Sequence, residues 1–169
     1  LVSYDRLAEI IREEREDLGE NIASPVAEIR GDVVFENLTF EYDKDQPVLH
    51  NINFTCKPGE TIALLGSTGS GKTTLVTLLG RFYEYTGGRI LLDGIELKQY
   101  PKSFLRKQIG VVQQEAFLFS RTIRENITLG VDRKVGDDEV IAVAKAAAIH
   151  DSIMTFPEGY NTLVGERGV

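Results

Sequence analysis

The sequence predicts a mixed α/β fold, and three observations carry that prediction. Thr61, Ile62, Ala63, Leu64 and Leu65 form a short, largely apolar run, the pattern of a strand covered on both faces in a parallel sheet. A glycine-rich segment follows without a gap. Residues 73–82 then carry Val76, Leu79 and their neighbours at helical period. Strand, glycine-rich turn and helix, in that order, are the building unit of α/β architectures.

The other elements follow along the chain. From Tyr4, the residues Leu7, Ala8, Ile10 and Ile11 recur at helical spacing, and Gly19 supplies a stop, so an amphipathic helix is expected there. Residues 21–30 read as a connector, because Pro25 removes a donor and biases Ser24 away from helix. A domain boundary is expected near Gly31. Residues 33–42 alternate apolar and polar with one slip (Val33, Phe35, Leu38, Phe40, Tyr42), and residues 48–56 alternate again. Both read as strands with one wet face, joined by a turn over residues 43–47. Gly87-Gly88 reads as a turn introducing a strand over 89–92, Asp93-Gly94 as a second turn, and 109–112 as another short apolar strand. Thr122 with Glu125 makes a capping-box pattern. Residues 137–149 place Val140, Val143, Ala144, Ala147 and Ala148 on one helical stripe.

Composition narrows the function classes. The chain has 169 residues, 19 Lys plus Arg against 26 Asp plus Glu, and a net charge of −7, which repels a nucleic-acid backbone. No nucleic-acid partner is expected, and any phosphate site must be built locally. The apolar runs fall far short of the roughly 18 residues of a membrane span, so this segment is not expected to insert into a bilayer. The single cysteine, Cys56, suits a reducing compartment. His50 and His150 lie far apart, so no metal-ligand spacing exists. His50 falls in a strand and His150 at a helix end, where the dipole would favour it; both read as structural.

Gly66-Ser67-Thr68-Gly69-Ser70-Gly71-Lys72-Thr73 has the spacing of a phosphate-binding loop, and Thr74 follows it. Glycines without Cβ atoms let the backbone wrap tightly and turn its N–H groups toward an anion, and the helix dipole adds positive potential. Lys72 would reach the β and γ phosphates as a point charge, and the Thr73 hydroxyl would ligate the Mg²⁺ that bridges them. Ile90-Leu91-Leu92-Asp93 mimics the apolar strand and carboxylate of a second nucleotide motif. Gly94 follows where a catalytic Glu would be needed, so Asp93 reads as a turn residue.

With these residues in place the chain resembles the nucleotide-binding domain of an ATP-binding-cassette (ABC) transporter of the exporter type. The resemblance runs through residues 33–42, 47–54, Lys57-Pro58-Gly59-Glu60, the phosphate loop, Arg81-Phe82-Tyr83, 88–94, 105–115, 118–127 and 157–168. It implies a P-loop NTPase (RecA-like) core with an antiparallel β subdomain and the start of a helical subdomain, incomplete at the C-terminus. Tyr42 matches the A-loop aromatic on which adenine stacks, against the bland alternative of a hairpin tyrosine packing on its neighbours. Gln114, rather than Gln113, matches the Q-loop glutamine that approaches Mg²⁺ and the γ phosphate. Gly165-Glu166-Arg167-Gly168 resembles the exporter X-loop, although Leu163 stands where many exporters carry Glu.

The resemblance also implies partners: a transmembrane domain of the same parent, reached through residues 1–30, and a second nucleotide-binding domain in a head-to-tail dimer. The parent would sit in a cell membrane with this part on its cytoplasmic face and couple ATP hydrolysis to transport. The family's Leu-Ser-Gly-Gly-Gln signature, Walker B strand, catalytic Glu and switch His do not occur before Val169. The expectation is therefore that residues 31–169 are the N-terminal part of the domain, binding ATP with little turnover and leaving apolar strand faces uncovered. A non-catalytic nucleotide-binding module and a soluble P-loop NTPase are the alternatives. The absence of Asn-Lys-x-Asp argues against a GTPase.

Overall fold

Alternating apolar residues place β1 (Val33–Glu41) and β2 (Pro47–Cys56) in an antiparallel hairpin, in which Phe35 pairs with Phe54 and their rings stack at 4.3 Å. The computed structural model describes residues 11–13, 15–19, 22–44, 46–114 and 117–165. β3 (Gly87–Leu92) pairs with the other edge of β1, and β4 (Ile95–Glu96) closes an antiparallel sheet of order β2-β1-β3-β4. A 3-10 turn at Leu97–Gln99 leads to a helix at Lys102–Gln108. The phosphate-loop helix, α1, spans Lys72–Leu79, so the later helix is α2. Phe35, Leu38, Phe40, Ile90 and Leu92 of the sheet share one buried core with Leu75 and Leu78 of α1, Tyr100, and Leu105 of α2.

The slip in the alternation of β1 is a register shift between Phe35 and Leu38, where Asn37 adopts φ 48°. A bulge re-aims the strand so that both Phe35 and Leu38 face inward. Gly87 and Gly88 are part of β3 rather than a turn before it. Gly88, at φ 70°, lies so close to β1 that a Cβ there would sit 2.3 Å from the Asn37 carbonyl oxygen. Asp93 and Gly94, at φ 53° and 80°, form the tight β3–β4 turn.

Two expected strands are not formed. Residues 61–65 and 109–112 have no paired strand among the described residues, and an extended segment becomes a strand only by pairing. Leu65 is 94% and Val112 100% exposed, so the apolar faces stand uncovered as expected. Ile62 and Leu64 line an apolar cleft of about 210 Å³ with Phe35, Phe54, Leu75 and Val76.

The chain divides into two compact units, Leu1–Val111 and Val112–Val169. The second holds α3 (Ile123–Ile127), α4 (Asp137–Ala146) and α5 (His150–Met154). The capping box forms as expected: Glu125 N–H donates to Thr122 Oγ1 at 3.1 Å, and Thr122 N–H donates to the Glu125 carboxylate at 2.8 Å. On α4 only Val140 and Ala144 of the expected stripe are buried; Ala147 caps the helix and Ala148 turns left-handed at φ 56°. The helix expected from Tyr4 lies largely outside the described residues. Ile11 and Arg12 are helical, while 15–19 are irregular.

Candidate nucleotide site

The phosphate loop closes on itself before α1 begins. Ser70 N–H donates to Ser67 O at 3.2 Å, and Gly69 and Gly71 take φ 82° and 86°, conformations that glycine adopts without a Cβ penalty. Gly71 is the N-cap of α1, with no side-chain cap and no acidic residue in the first turn. The first helical bond runs from Leu75 N–H to Gly71 O at 2.9 Å. The amides ahead of it have no intrahelical acceptor, and the helix dipole makes that end attractive to an anion. A Cβ at Gly71 would lie 2.7 Å from Leu49 Cδ2, so the end of the loop lies hard against β2.

Lys72 folds back beneath this turn. Its Nζ donates to Gly66 O at 2.9 Å, Ser67 O at 2.7 Å and Ser70 Oγ at 3.2 Å. The Ser70 hydroxyl fills the space a side chain at Gly66 would need, since a Cβ there would be 2.7 Å away. Three neutral acceptors thus hold one ammonium at the uncapped start of α1. A phosphate oxygen is a stronger partner for that ammonium than a carbonyl, and the donor set fits a polyphosphate. Thr68 and Thr73 are exposed, and Thr73 directly follows Lys72 at the helix start. No cluster of three His, Cys, Asp or Glu occurs among the described residues. A hydroxyl beside bound phosphates is the donor set Mg²⁺ uses when it keeps most of its waters, so Thr73 fits that role.

Tyr42 stands at the end of β1, half exposed. Its hydroxyl and Thr74 Oγ1 share a hydrogen bond of 3.0 Å, and Thr74 is 6% exposed on the first turn of α1. The Tyr42 ring meets Phe40 at 4.8 Å and Tyr83 at 5.0 Å between centroids, each nearly perpendicular to it. The hairpin thereby brings an aromatic ring to the phosphate loop, a convergence of residues 32 positions apart. Tyr83 is the residue the sequence reasoning passed over. Its only signal was its place after Arg81-Phe82, just beyond the end of α1.

Gln114 lies in the second unit at an exposed bend, with Gln113 also exposed beside it. Of the X-loop residues only Gly165 is described; 166–168 lie outside. Asp93 is a turn residue: its carboxylate accepts from the N–H groups of Arg30 at 2.6 Å, Gly31 at 3.0 Å and Asp32 at 2.9 Å. Burial pushes its pKa up, but these backbone donors together outweigh burial and hold it below the usual carboxylate value. His150 begins α5 rather than ending a helix. Its Nδ1 instead shares a 2.8 Å hydrogen bond with the Tyr160 hydroxyl.

Residues 49–165 match the model of the family described as ABC transporter. This chain belongs to the ABC transporter family. As an ABC chain it is 48% identical, over its whole length, to YgaD of Bacillus subtilis, whose name assigns it provisionally to multidrug export as an ATP-binding/permease protein. It is 43% identical over 99% of its length to human ATP-binding cassette sub-family B member 6. Its structure matches that of a bacterial Atm1-family ABC exporter with ATP bound, with a TM-score of 0.84, 38% identity and 99% of the chain covered. The ABC chain spans 29%, 20% and 29% of those three proteins, respectively. Its fold class is the mixed α/β of the P-loop NTPase core, to which the described residues contribute the antiparallel subdomain, the phosphate loop and α1, and the first helices of the helical subdomain.

Proposed function

We propose that this chain is the ATP-binding part of the motor domain of an ABC exporter, whose parent couples ATP hydrolysis to transport across a membrane. The observation that carries the reading is the Lys72 ammonium held by Gly66 O, Ser67 O and Ser70 Oγ at the uncapped start of α1, with Tyr42 tied to Thr74 one turn on. On binding ATP, Lys72 exchanges neutral acceptors for β- and γ-phosphate oxygens, and the amides of residues 66–73 receive the rest of the triphosphate charge. Tyr42 takes the adenine ring on its open face, and Thr74 lies beside the phosphates. Bound Mg²⁺ would supply charge neutralisation at the phosphates, and Thr73 would hold it; for Gln114, in the second unit, that role rests on the resemblance alone. A resemblance to exporters over the whole chain supports the rest of the arrangement. In it, residues 1–30 lead in from a transmembrane domain, residues 31–169 form the N-terminal part of the nucleotide-binding domain, and a second such domain docks head-to-tail at the cytoplasmic face.

Lys72→Ala tests the reading. It is expected to weaken ATP binding at least about tenfold, since a hydrogen bond to a charged group contributes about 1.5–3 kcal/mol. Unchanged affinity in a calorimetric titration would remove the loop from the site. Residues 1–169 alone are expected to bind ATP with little or no turnover, because hydrolysis needs a water-positioning group beside the γ phosphate as well as a phosphate clamp. Steady-state phosphate release that disappears in Lys72→Ala would contradict this.

A further inference from the structure

The geometry points to Tyr83 as a positioning residue for the nucleotide base: it fixes the plane of the Tyr42 ring against which adenine stacks. The inference rests on the reading that Tyr42 takes the adenine. A half-exposed tyrosine at the turn of a hairpin is free to rotate about its side-chain torsions unless neighbours hold it, and a stacking platform must not turn. Tyr42 is held at three points: the 3.0 Å bond of its hydroxyl to Thr74, the Phe40 ring at 85° to its own, and the Tyr83 ring at 90°. Phe40 belongs to the same strand and is part of the core, 2% exposed, so it moves with β1. Tyr83 comes from the far end of α1. It is the contact that registers the hairpin ring against the phosphate-loop helix along its length.

The backbone that carries Tyr83 is rigid enough for that task. Arg81 adopts φ 50° and its Nη1 donates to Lys98 O at 3.1 Å and Tyr100 O at 2.7 Å. Arg106 donates to Gly80 O and Arg81 O, each at 3.0 Å, while its guanidinium lies 4.4 Å from the centre of the Phe82 ring. Two arginines therefore lock the turn just before Tyr83. Tyr83 is 48% exposed and is not itself part of the buried cluster; besides Tyr42, its ring meets only the edge of that cluster, at Phe40, 5.8 Å away between centroids. A side chain so braced yet so exposed serves the ring it touches. Perpendicular aromatic pairs at this distance favour one mutual orientation, and a pre-set platform spares the base the cost of ordering it.

The test measures ATP and inorganic tripolyphosphate affinities by calorimetry on the intact protein, for wild type, Tyr83→Leu, Tyr83→Phe and Tyr42→Ala. Tyr83→Leu is expected to weaken ATP about three- to tenfold while tripolyphosphate changes less than about twofold, and Tyr83→Phe to restore ATP to within about twofold. Equal loss for both ligands, unchanged ATP affinity in Tyr83→Leu, or no rescue by Tyr83→Phe would each overturn the inference. Tyr42→Ala separates the two levels. If it weakens ATP and Tyr83→Leu does not, only the role of Tyr83 falls; if Tyr42→Ala itself has no effect, the adenine reading falls and the inference with it.

Discussion

The hydroxyl of Tyr42 and Oγ1 of Thr74 share a hydrogen bond of 3.0 Å, joining the end of the β1 strand to the first turn of the phosphate-loop helix. Through it the aromatic ring and the Lys72 ammonium belong to one structure. In a double-mutant cycle read by urea unfolding, Tyr42→Phe and Thr74→Val should each cost about 0.5–1.5 kcal/mol. The double variant should cost less than their sum, because neither partner is then left alone. Strict additivity would show that the bond carries no energy.

Tyr42→Ala removes the stacking face as well as the tether. ATP affinity should fall by about 1–3 kcal/mol without being abolished, since the triphosphate contacts remain. Binding of tripolyphosphate should be unaffected.

Asp93 holds residues 30–32 to the β3–β4 turn through three N–H donors, so its carboxylate is worth more ionised than protonated. Its pKa in the folded protein is depressed. The unfolded chain therefore takes up the proton first as pH falls. The stabilisation is complete above the ordinary carboxylate range and is lost as pH drops through the folded value. Asp93→Ala should cost about 1.5–3 kcal/mol at pH 7. The gap between wild type and variant should narrow in urea melts as pH falls below the ordinary aspartate value; a gap independent of pH would contradict the account.

Glu16 accepts from Lys102 Nζ at 2.9 Å and from both Nη atoms of Arg106 at 2.8 and 2.9 Å. Its bonds to Arg106 first, and to Lys102 next, lower its pKa from the usual 4.5 to about 2. The clasp between residue 16 and α2 should stay whole above about pH 4.5 and open as pH falls toward 2. An NMR titration of the Glu16 side chain checks this directly. A midpoint near 4.5 would mean that the clasp does not form in solution.

Gly88→Ala should destabilise by about 2–4 kcal/mol, from left-handed strain added to a backbone clash. The new Cβ would lie 2.3 Å from Asn37 O in a strand whose bulge already uses the space. A shift of less than about 1 kcal/mol in urea unfolding would show that the bulge relaxes.

What the sequence made legible was local. Glycine and lysine spacing located the loop, alternation located β1 and β2, and Thr122 with Glu125 located the start of α3. Even the bulge at Asn37 showed as a slip in the alternation, though its meaning needed the opposing Gly88. Residues 61–65 and 109–112 were misread because apolar content reports a preference for burial, while a strand also needs a partner for its amides. The aromatic brace at Tyr83 was invisible because it depends on Arg81 turning left-handed just past α1 and on Arg106 reaching that turn from α2. Periodicity carries no such long-range information. His150 was placed at the wrong end of a helix because Ala148 breaks α4 without a glycine to mark the site.

The central claim is that the amides of residues 66–73 and the Lys72 ammonium receive a triphosphate. A crystal structure with a non-hydrolysable ATP analogue and Mg²⁺ tests it most directly. The account predicts Lys72 Nζ drawn from the Gly66 and Ser67 carbonyls onto phosphate oxygens, with adenine lying on Tyr42. A loop still closed on Lys72, with the nucleotide bound elsewhere, would contradict it.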